Sequence, residues 1–235
     1  MKLSSFDIHN HLLPGLDDGF ADAADSLEAI RRMAAGGCRD FVFTPHLNPE
    51  IFPKLSESRL KEAYDSFVPS IPAEWGVKTA LAAEYMVVGG FEERISSASD
   101  ELLTFPDGSI LIEMSVFFRS ANLEKVIFEL NMAGLKPILA HPERYTYLAG
   151  NMDCFDKLQD IGCRFQLNML SATGAYGPAS VKIMRYILGR GMYSFVSSDL
   201  HSLSQLDRIL SYNPGIFSGN KMKNIREIEK KLLNS

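Results

Sequence analysis

The sequence predicts an α/β fold in which a parallel sheet, closed into a barrel, carries a polar site at the carboxyl ends of its strands. Three observations predict it. Apolar strand-like runs alternate with amphipathic helix-like runs for about seven units. The inner runs are nearly continuous in apolar residues, as strands buried on both faces are. All five histidines, His9, His11, His46, His141 and His201, fall at the ends of such runs. An open doubly wound sheet also fits the alternation, but it gathers ligands at one switch point. Polar residues ending nearly every strand suit the mouth of a barrel.

Taken in order, residues 5–9 read as a first strand that runs into Phe6-Asp7-Ile8-His9-Asn10-His11, with Asp17-Asp18-Gly19 just after it. In extended backbone, residues two apart point the same way, so His9 and His11 can face one point. Residues 22–35 form an amphipathic helix stopped by Gly36-Gly37. Residues 39–46 are an aromatic and β-branched strand ending in Pro45-His46, followed by a proline-containing loop over 48–54 and a helix over 56–68. Residues 77–85 are a third strand with Glu84 near its end, and 91–97 a short helix. After a turn at 106–108, residues 109–114 are a fourth strand ending at a carboxylate, Glu113.

A helix over 122–133, capped by Asn122 and stopped at Gly134, precedes a fifth strand from residue 136 into His141. The helix over 152–161 stops at Gly162, and a sixth strand covers 164–169. A helix over 180–188 leads to a seventh strand over 192–201, which ends in the i, i+2 pair Asp199 and His201. The last element is a charged amphipathic helix over 223–233. The whole of 1–235 reads as one domain.

Composition narrows the function. A 235-residue chain that is 46% apolar and 23% charged is long enough to bury a large core. A net charge of −5 without a basic cluster argues against a nucleic-acid groove. The N-terminus lacks a charged start followed by an apolar run, and no apolar stretch is long enough to span a bilayer, so neither a secretory signal nor membrane insertion is expected. Cys38, Cys154 and Cys163 are odd in number and unpatterned, as in reduced thiols of a cytoplasmic protein. None has an arginine six positions on, which disfavours the Cys-x5-Arg loop of thiol-dependent phosphatases.

Together with the five histidines, Asp18, Glu84, Glu113 and Asp199 could bring nine nitrogen and oxygen ligands to one mouth. A single catalytic zinc commonly takes three protein ligands. Nine fit two or three metals with shared carboxylates better, and the absence of sulfur favours manganese, iron or zinc in mixed N/O sites. Taken singly, Glu113 reads equally well as a salt-bridge partner and His46 as a capping group. Their joint placement is what points to a metal site.

His-x-His followed by Asp-Asp-Gly, then Thr-Pro-His, a strand-end Glu, His-Pro-Glu-Arg-Tyr and Ser-Asp-x-His, in that order, resembles the polymerase and histidinol phosphatase (PHP) superfamily over about residues 5–205. Within it the chain is similar to the bacterial manganese-dependent protein tyrosine phosphatases of capsule and exopolysaccharide operons. The resemblance implies a distorted seven-stranded β/α barrel, similar to a TIM barrel, with a trinuclear metal centre, manganese first. Carried over by motif, His9, His11 and Asp199 would hold one metal. Glu84 would bridge it to a second, held with Glu113 and His141, and Asp18, His46 and His201 would hold the third. Three divalent ions outweigh the four carboxylates, so the mouth would be cationic in an acidic protein.

The resemblance gives Arg144, His46 and His201 the catalytic roles, Arg144 as the contact to the substrate phosphate. The family often carries a second phosphate-binding arginine about five residues past its final histidine. Here that position is Leu206, and Arg208 is the nearest arginine; Arg119 is a further candidate. Both also read as solvated loop arginines. Phe117, Phe118 and Tyr176 read either as an apolar rim or as loop packing.

The expected activity is phosphomonoester hydrolysis by direct attack of a metal-activated hydroxide on phosphorus. The resemblance supplies the substrate, a phosphotyrosyl protein such as a bacterial tyrosine kinase. Alternatives are a small-molecule phosphatase of the histidinol phosphate kind, an amidohydrolase-type metal hydrolase and an inactive docking module.

Overall fold

The structure, a computed structural model, describes residues 4–212. The expected helix over 223–233 lies outside the described residues. The strands are β1 (Phe6–Asp7), β2 (Asp40–Phe43), β3 (His46–Leu47), β4 (Lys78–Leu81), β5 (Glu84–Met86), β6 (Ser109–Glu113), β7 (Lys136–Ala140), β8 (Arg164–Asn168) and β9 (Tyr193–Ser197). The α-helices are α1 (Ala23–Ala35), α2 (Glu57–Phe67), α3 (Phe91–Ala98), α4 (Leu123–Met132), α5 (Asp153–Asp160), α6 (Met169–Ala172), α7 (Gly177–Gly189) and α8 (Leu203–Ser211). Every strand pairing is parallel, which requires the helical crossovers that the alternation predicts. Among the described residues no helix is long and apolar enough to cross a membrane.

The strands form two sheets, β1-β2-β4 and β3-β5-β6-β7-β8-β9, and among the described residues the ladder does not close into a barrel. The expected second strand over 39–46 is split into β2 and β3 by Thr44-Pro45, where proline has no N–H to give to a ladder. The third, over 77–85, is split into β4 and β5 at Ala82-Ala83. Single bonds cross the breaks, Ala82 N–H to Phe43 O at 2.9 Å and Glu84 N–H to Pro45 O at 3.1 Å. On the far side, β9 meets the segment after β1 through Asp199 N–H to His9 O (2.8 Å), His11 N–H to Leu200 O (3.0 Å) and an isolated bridge between Asn10 and Leu200.

Two apolar clusters follow from the period of two. The larger fills the space between sheets and helices, with Phe41, Phe43, Ile110, Ile112, Leu139 and Phe165 facing the helices. The smaller gathers Ile8, Val42, Ala82, Leu111, Ile138, Ala140 and Phe195 from strands and breaks of both sheets. Glu84 lies two residues beyond Ala82, and Glu113 two beyond Leu111. Alternation therefore aims both carboxylates to the side of this inner cluster, at its open end.

Three helix starts follow local chemistry, whereas Asn122, expected to cap α4, makes no side-chain cap bond there and donates instead to the Val88 carbonyl. Asp22 caps α1 by accepting the Asp25 N–H, Ser56 caps α2 through the Arg59 N–H, and Ser202 caps α8 through the Gln205 N–H. Helices α6 and α8 were not expected from the sequence. The four-residue α6 is too short for a helical period to register. The amphipathic α8, which buries Leu206 and Ile209, directly follows the closing Asp-x-His pair. Leu206, the position at which the resemblance implies a second arginine, is thus a core residue.

Candidate metal centre

All nine expected ligands come together at the carboxyl ends of the strands. Glu84, fully buried at the start of β5, stands at the centre. Its Oε1 lies 3.2 Å from His9 Nε2 and 3.1 Å from His141 Nε2; its Oε2 lies 3.5 Å from His11 Nε2 and 3.0 Å from His46 Nδ1. Asp199 Oδ1 is 3.3 Å from His9 Nε2 and 3.4 Å from His11 Nε2. Glu113 Oε1 is 2.9 Å from His46 Nδ1. Asp18, at the exposed edge, places Oδ1 3.3 Å from His46 Nε2 and 3.6 Å from His201 Nε2.

The ligand atoms fall into four overlapping groups, each spanning no more than 4.8 Å: His11, Asp18, His46 and His201; His9, His11 and Glu84; His9, His141 and Asp199; and His46, Glu84 and Glu113. Three features differ from the partition carried over by motif. His141 groups with His9 and Asp199 rather than with Glu113. His11 also joins Asp18, His46 and His201, and His46 joins Glu84 and Glu113 as well. Glu84 belongs to two groups.

The residues present fit a group of cations. His9 Nε2, His11 Nε2, His46 Nδ1, Glu84 Oε2, Glu113 Oε1 and Asp199 Oδ1 are buried without a hydrogen-bond partner. Each such atom costs about 1–3 kcal/mol if nothing satisfies it. Six of them converging on one volume is the pattern that bound cations would satisfy. The set is nitrogen and oxygen throughout, which suits manganese, iron or zinc.

The electrostatics agree. Burial disfavours the charged imidazoles, but the Glu84 and Asp199 carboxylates outweigh it at His9 and raise its pKa. Asp17 does the same for His11, and Glu113 with Glu84 for His46. Burial opposes ionisation of Glu84 and Asp199 too, yet the surrounding histidines hold both well below the usual carboxylate range. Protons and cations would thus compete for the same lone pairs.

Residues outside the ligand set aim the imidazoles. Three histidines use Nδ1 outward and turn Nε2 inward: His9 donates to Gln166 Oε1 (2.9 Å), His11 to Asp17 Oδ2 (2.8 Å) and His201 to the Asp199 carbonyl (2.9 Å). Gln166 Oε1 also accepts the His141 N–H at 3.2 Å. Asp17 Oδ2 accepts the His46 N–H at 2.9 Å, and its Oδ1 the Gly19 N–H at 3.0 Å. Burial raises the Asp17 pKa and the His11 charge lowers it; the balance brings it down to about 2.

Asn168 donates to Asp199 Oδ2 at 2.6 Å, and so orients a carboxylate of the donor cluster. Asp7, its pKa pushed up to about 6 by burial, accepts the Ser198 N–H and hydroxyl and ties β1 to the end of β9. His141 and Asp199 have positive φ, 33° and 49°. Such backbone is uncommon outside glycine, and more so at His141, which precedes a proline. In both cases the turn lies at a residue of the donor cluster.

Sequence reading missed Asp17 and Gln166. Asp17 stands beside Asp18, and nothing local says which of two adjacent aspartates turns inward. Gln166 did carry a signal, as a lone polar residue between Phe165 and Leu167 in an apolar strand. Asp17→Asn is expected to weaken manganese binding by about 10–100-fold, the usual cost of losing such a support. Titration of the chelated protein with manganese, followed by isothermal calorimetry, measures this; unchanged affinity would remove Asp17 from the machinery.

Of the three candidate phosphate contacts, Arg144 alone reaches the cluster. Its Nη1 donates to Asp199 Oδ2 at 2.8 Å and its guanidinium lies 4.8 Å from the centre of the Tyr176 ring. Arg119 is held by Glu124. Arg208 donates to the Thr173 hydroxyl at 2.8 Å and to the Thr173 carbonyl at 3.3 Å. Glu143, between His141 and Arg144, is spent on structure: it accepts from Asn168 N–H, the Ser171 hydroxyl and the Tyr193 hydroxyl.

A parallel α/β scaffold with a nitrogen and oxygen donor cluster at its strand ends defines a class of proteins built to hold metal ions there. Residues 5–212 match the family model described as capsular polysaccharide synthesis, CpsB/CapC, and the chain belongs to that family. It is 29% identical over 199 residues to the tyrosine-protein phosphatase YwqE of Bacillus subtilis, covering 84% of this chain and 77% of that one. It is 28% identical over 213 residues to the tyrosine-protein phosphatase CpsB of Streptococcus pneumoniae, covering 84% and 83%. Among solved structures it is similar to one reported for YwqE and CpsB as unique metal-dependent tyrosine phosphatases, with a TM-score of 0.82 at 26% identity, covering 97% of this chain and 94% of that one.

Proposed function

We propose that this protein is a metal-dependent protein tyrosine phosphatase of capsule or exopolysaccharide synthesis, acting on a phosphotyrosyl protein such as a tyrosine kinase. The observation that carries the reading is the Arg144 guanidinium at the edge of a nine-residue nitrogen and oxygen donor cluster. Membership of the CpsB/CapC family supports it. We read the two sheets as a distorted β/α barrel of seven strand units within a single domain, with β2–β3 and β4–β5 each counted as one interrupted strand. A cytoplasmic location goes with this reading, and the three buried cysteine thiols support it.

His9, His11, Asp18, His46, Glu84, Glu113, His141, Asp199 and His201 would hold two or three divalent ions, manganese first. Such ions, when bound, supply Lewis acidity and a water of lowered pKa. The chain's own part is to place them and to bind the substrate. Arg144 can present two parallel N–H groups to the non-bridging phosphate oxygens, a geometry that lysine cannot copy. Burial opposes its charge, but Asp199 more than compensates and holds it protonated. The half-buried Tyr176 ring beneath the guanidinium limits its motion.

The experiment is hydrolysis of p-nitrophenyl phosphate and of phosphotyrosyl peptides by purified protein, stripped with chelator and restored with manganese, with elemental analysis of the same samples. Activity lost and regained with two or three metals per chain supports the reading. Preference for small phosphomonoesters, or turnover of amides or lactones alone, would overturn it in favour of those hydrolases. Arg144→Ala is expected to lower kcat/KM on phosphotyrosyl peptide by about a hundredfold at unchanged metal content, and Arg144→Lys to recover little of it.

A further inference from the structure

We propose that the cleft beside the donor cluster binds the polypeptide flanking the phosphotyrosine, selecting a large apolar side chain with a basic residue near it; this rests on the phosphatase reading above. The cleft has a volume of about 610 Å³ and lies between the loops that follow β3, β5 and β6. Its wall residues Asn48, Met86 and Ser115 each stand two positions past a ligand: His46, Glu84 and Glu113. A substrate with its phosphate at the cluster therefore has this cleft beside it. A volume of that size accommodates several side chains rather than one ring.

The lining is apolar where it is most exposed. Phe117 is 86% exposed, Phe118 63% and Ile51 66%. The two phenylalanines are not on a loose loop. Ser120 Oγ donates to the Val87 carbonyl at 2.7 Å, Asn122 to the Val88 carbonyl at 3.3 Å, and Tyr147 to the Ser115 carbonyl at 3.0 Å. A loop pinned at both ends that still presents two aromatic rings to water has the form of a binding surface.

The charges agree. Arg119 and Glu92 in the lining are paired with Glu124 and Lys125, whereas Glu50 is exposed with no ion pair among the described residues. The rim thus offers one available carboxylate beside an apolar floor, which complements a basic residue next to an apolar one.

The test uses the full chain restored with manganese, and phosphotyrosyl peptides with leucine, or serine, at the two positions on either side of the phosphotyrosine. The leucine peptide is expected to be preferred about tenfold in kcat/KM, mostly through KM. The ratio should fall to near one in Phe117→Ser/Phe118→Ser, and in Ile51→Ser on the opposite wall should the double variant not fold. Because both peptides are read on one preparation, altered metal content cancels from the ratio. Glu50→Lys should reverse the preference between lysine-flanked and glutamate-flanked peptides, the effect weakening with salt. Equal rates on leucine and serine peptides, or a wild-type ratio in the wall variants, would overturn the inference alone. No turnover of any phosphotyrosyl substrate by the restored wild type would overturn the phosphatase reading and this inference with it.

Discussion

Glu84→Gln is expected to cut hydrolysis of p-nitrophenyl phosphate by at least about a thousandfold, some 4 kcal/mol in the barrier. Among the described residues, no other carboxylate has as many histidines beside it: four lie within 3.5 Å of its two oxygens. Glutamine keeps the shape and removes the charge, so the change isolates the carboxylate. Elemental analysis after restoration with manganese should find fewer ions per chain, since a neutral amide is a weaker ligand for a divalent cation than a carboxylate. The chelated protein supplies a second readout. Surrounding histidines hold the Glu84 pKa well below its unfolded value, although burial alone would raise it. A depressed carboxylate pKa stabilises the fold above the unfolded pKa, and that stability is lost as pH falls through the folded one. Chelated Glu84→Gln should therefore unfold at a lower temperature than chelated wild type at pH 7, with the gap closing in acid. Wild-type turnover and metal content in this variant would refute the proposed centre.

Gly19→Ala should damage the site from outside the ligand set. A Cβ at Gly19 would meet the His11 carbonyl oxygen at 2.4 Å, His11 Cβ at 2.5 Å and Asp17 Oδ1 at 3.0 Å. The first is backbone and the second is rigidly attached to it, so neither can turn aside. The turn over 17–19 must move, taking with it the Asp17 carboxylate that aims His11 and receives the His46 N–H. Overpacking of this kind costs about 1–3 kcal/mol of stability. Manganese affinity should fall by about 10–100-fold, as when a ligand's support is lost. Thermal melts of the chelated protein and manganese titration measure the two effects. A protein with wild-type melting and wild-type affinity would mean that the turn is not the support the geometry makes it.

Much of the site was legible because it is written locally. A histidine or carboxylate that ends an apolar run is visible in a few residues, and strand alternation tells which neighbours face together. The helix starts at Asp22 and Ser56 rest on equally local hydrogen bonds. The interruption at Thr44-Pro45 follows from a missing N–H, although the sequence reading ran one strand through it. Positive φ at His141 and Asp199 had no such signature, because neither residue is glycine and the turn is imposed by what surrounds it.

By itself the sequence determined the kinds of donor atom, their order along the chain and the strand ends that carry them, since all three depend on residue type and short-range periodicity. Only the tertiary structure decided which donors share a group, that Asp17 rather than Asp18 aims His11, that Gln166 serves His9 and His141 together, and that Arg144 alone of three arginines reaches the cluster. Several of those relations join residues 25 to 157 positions apart. They are set by the stagger of parallel strands and by buried hydrogen bonds between distant strand ends, which no local pattern encodes.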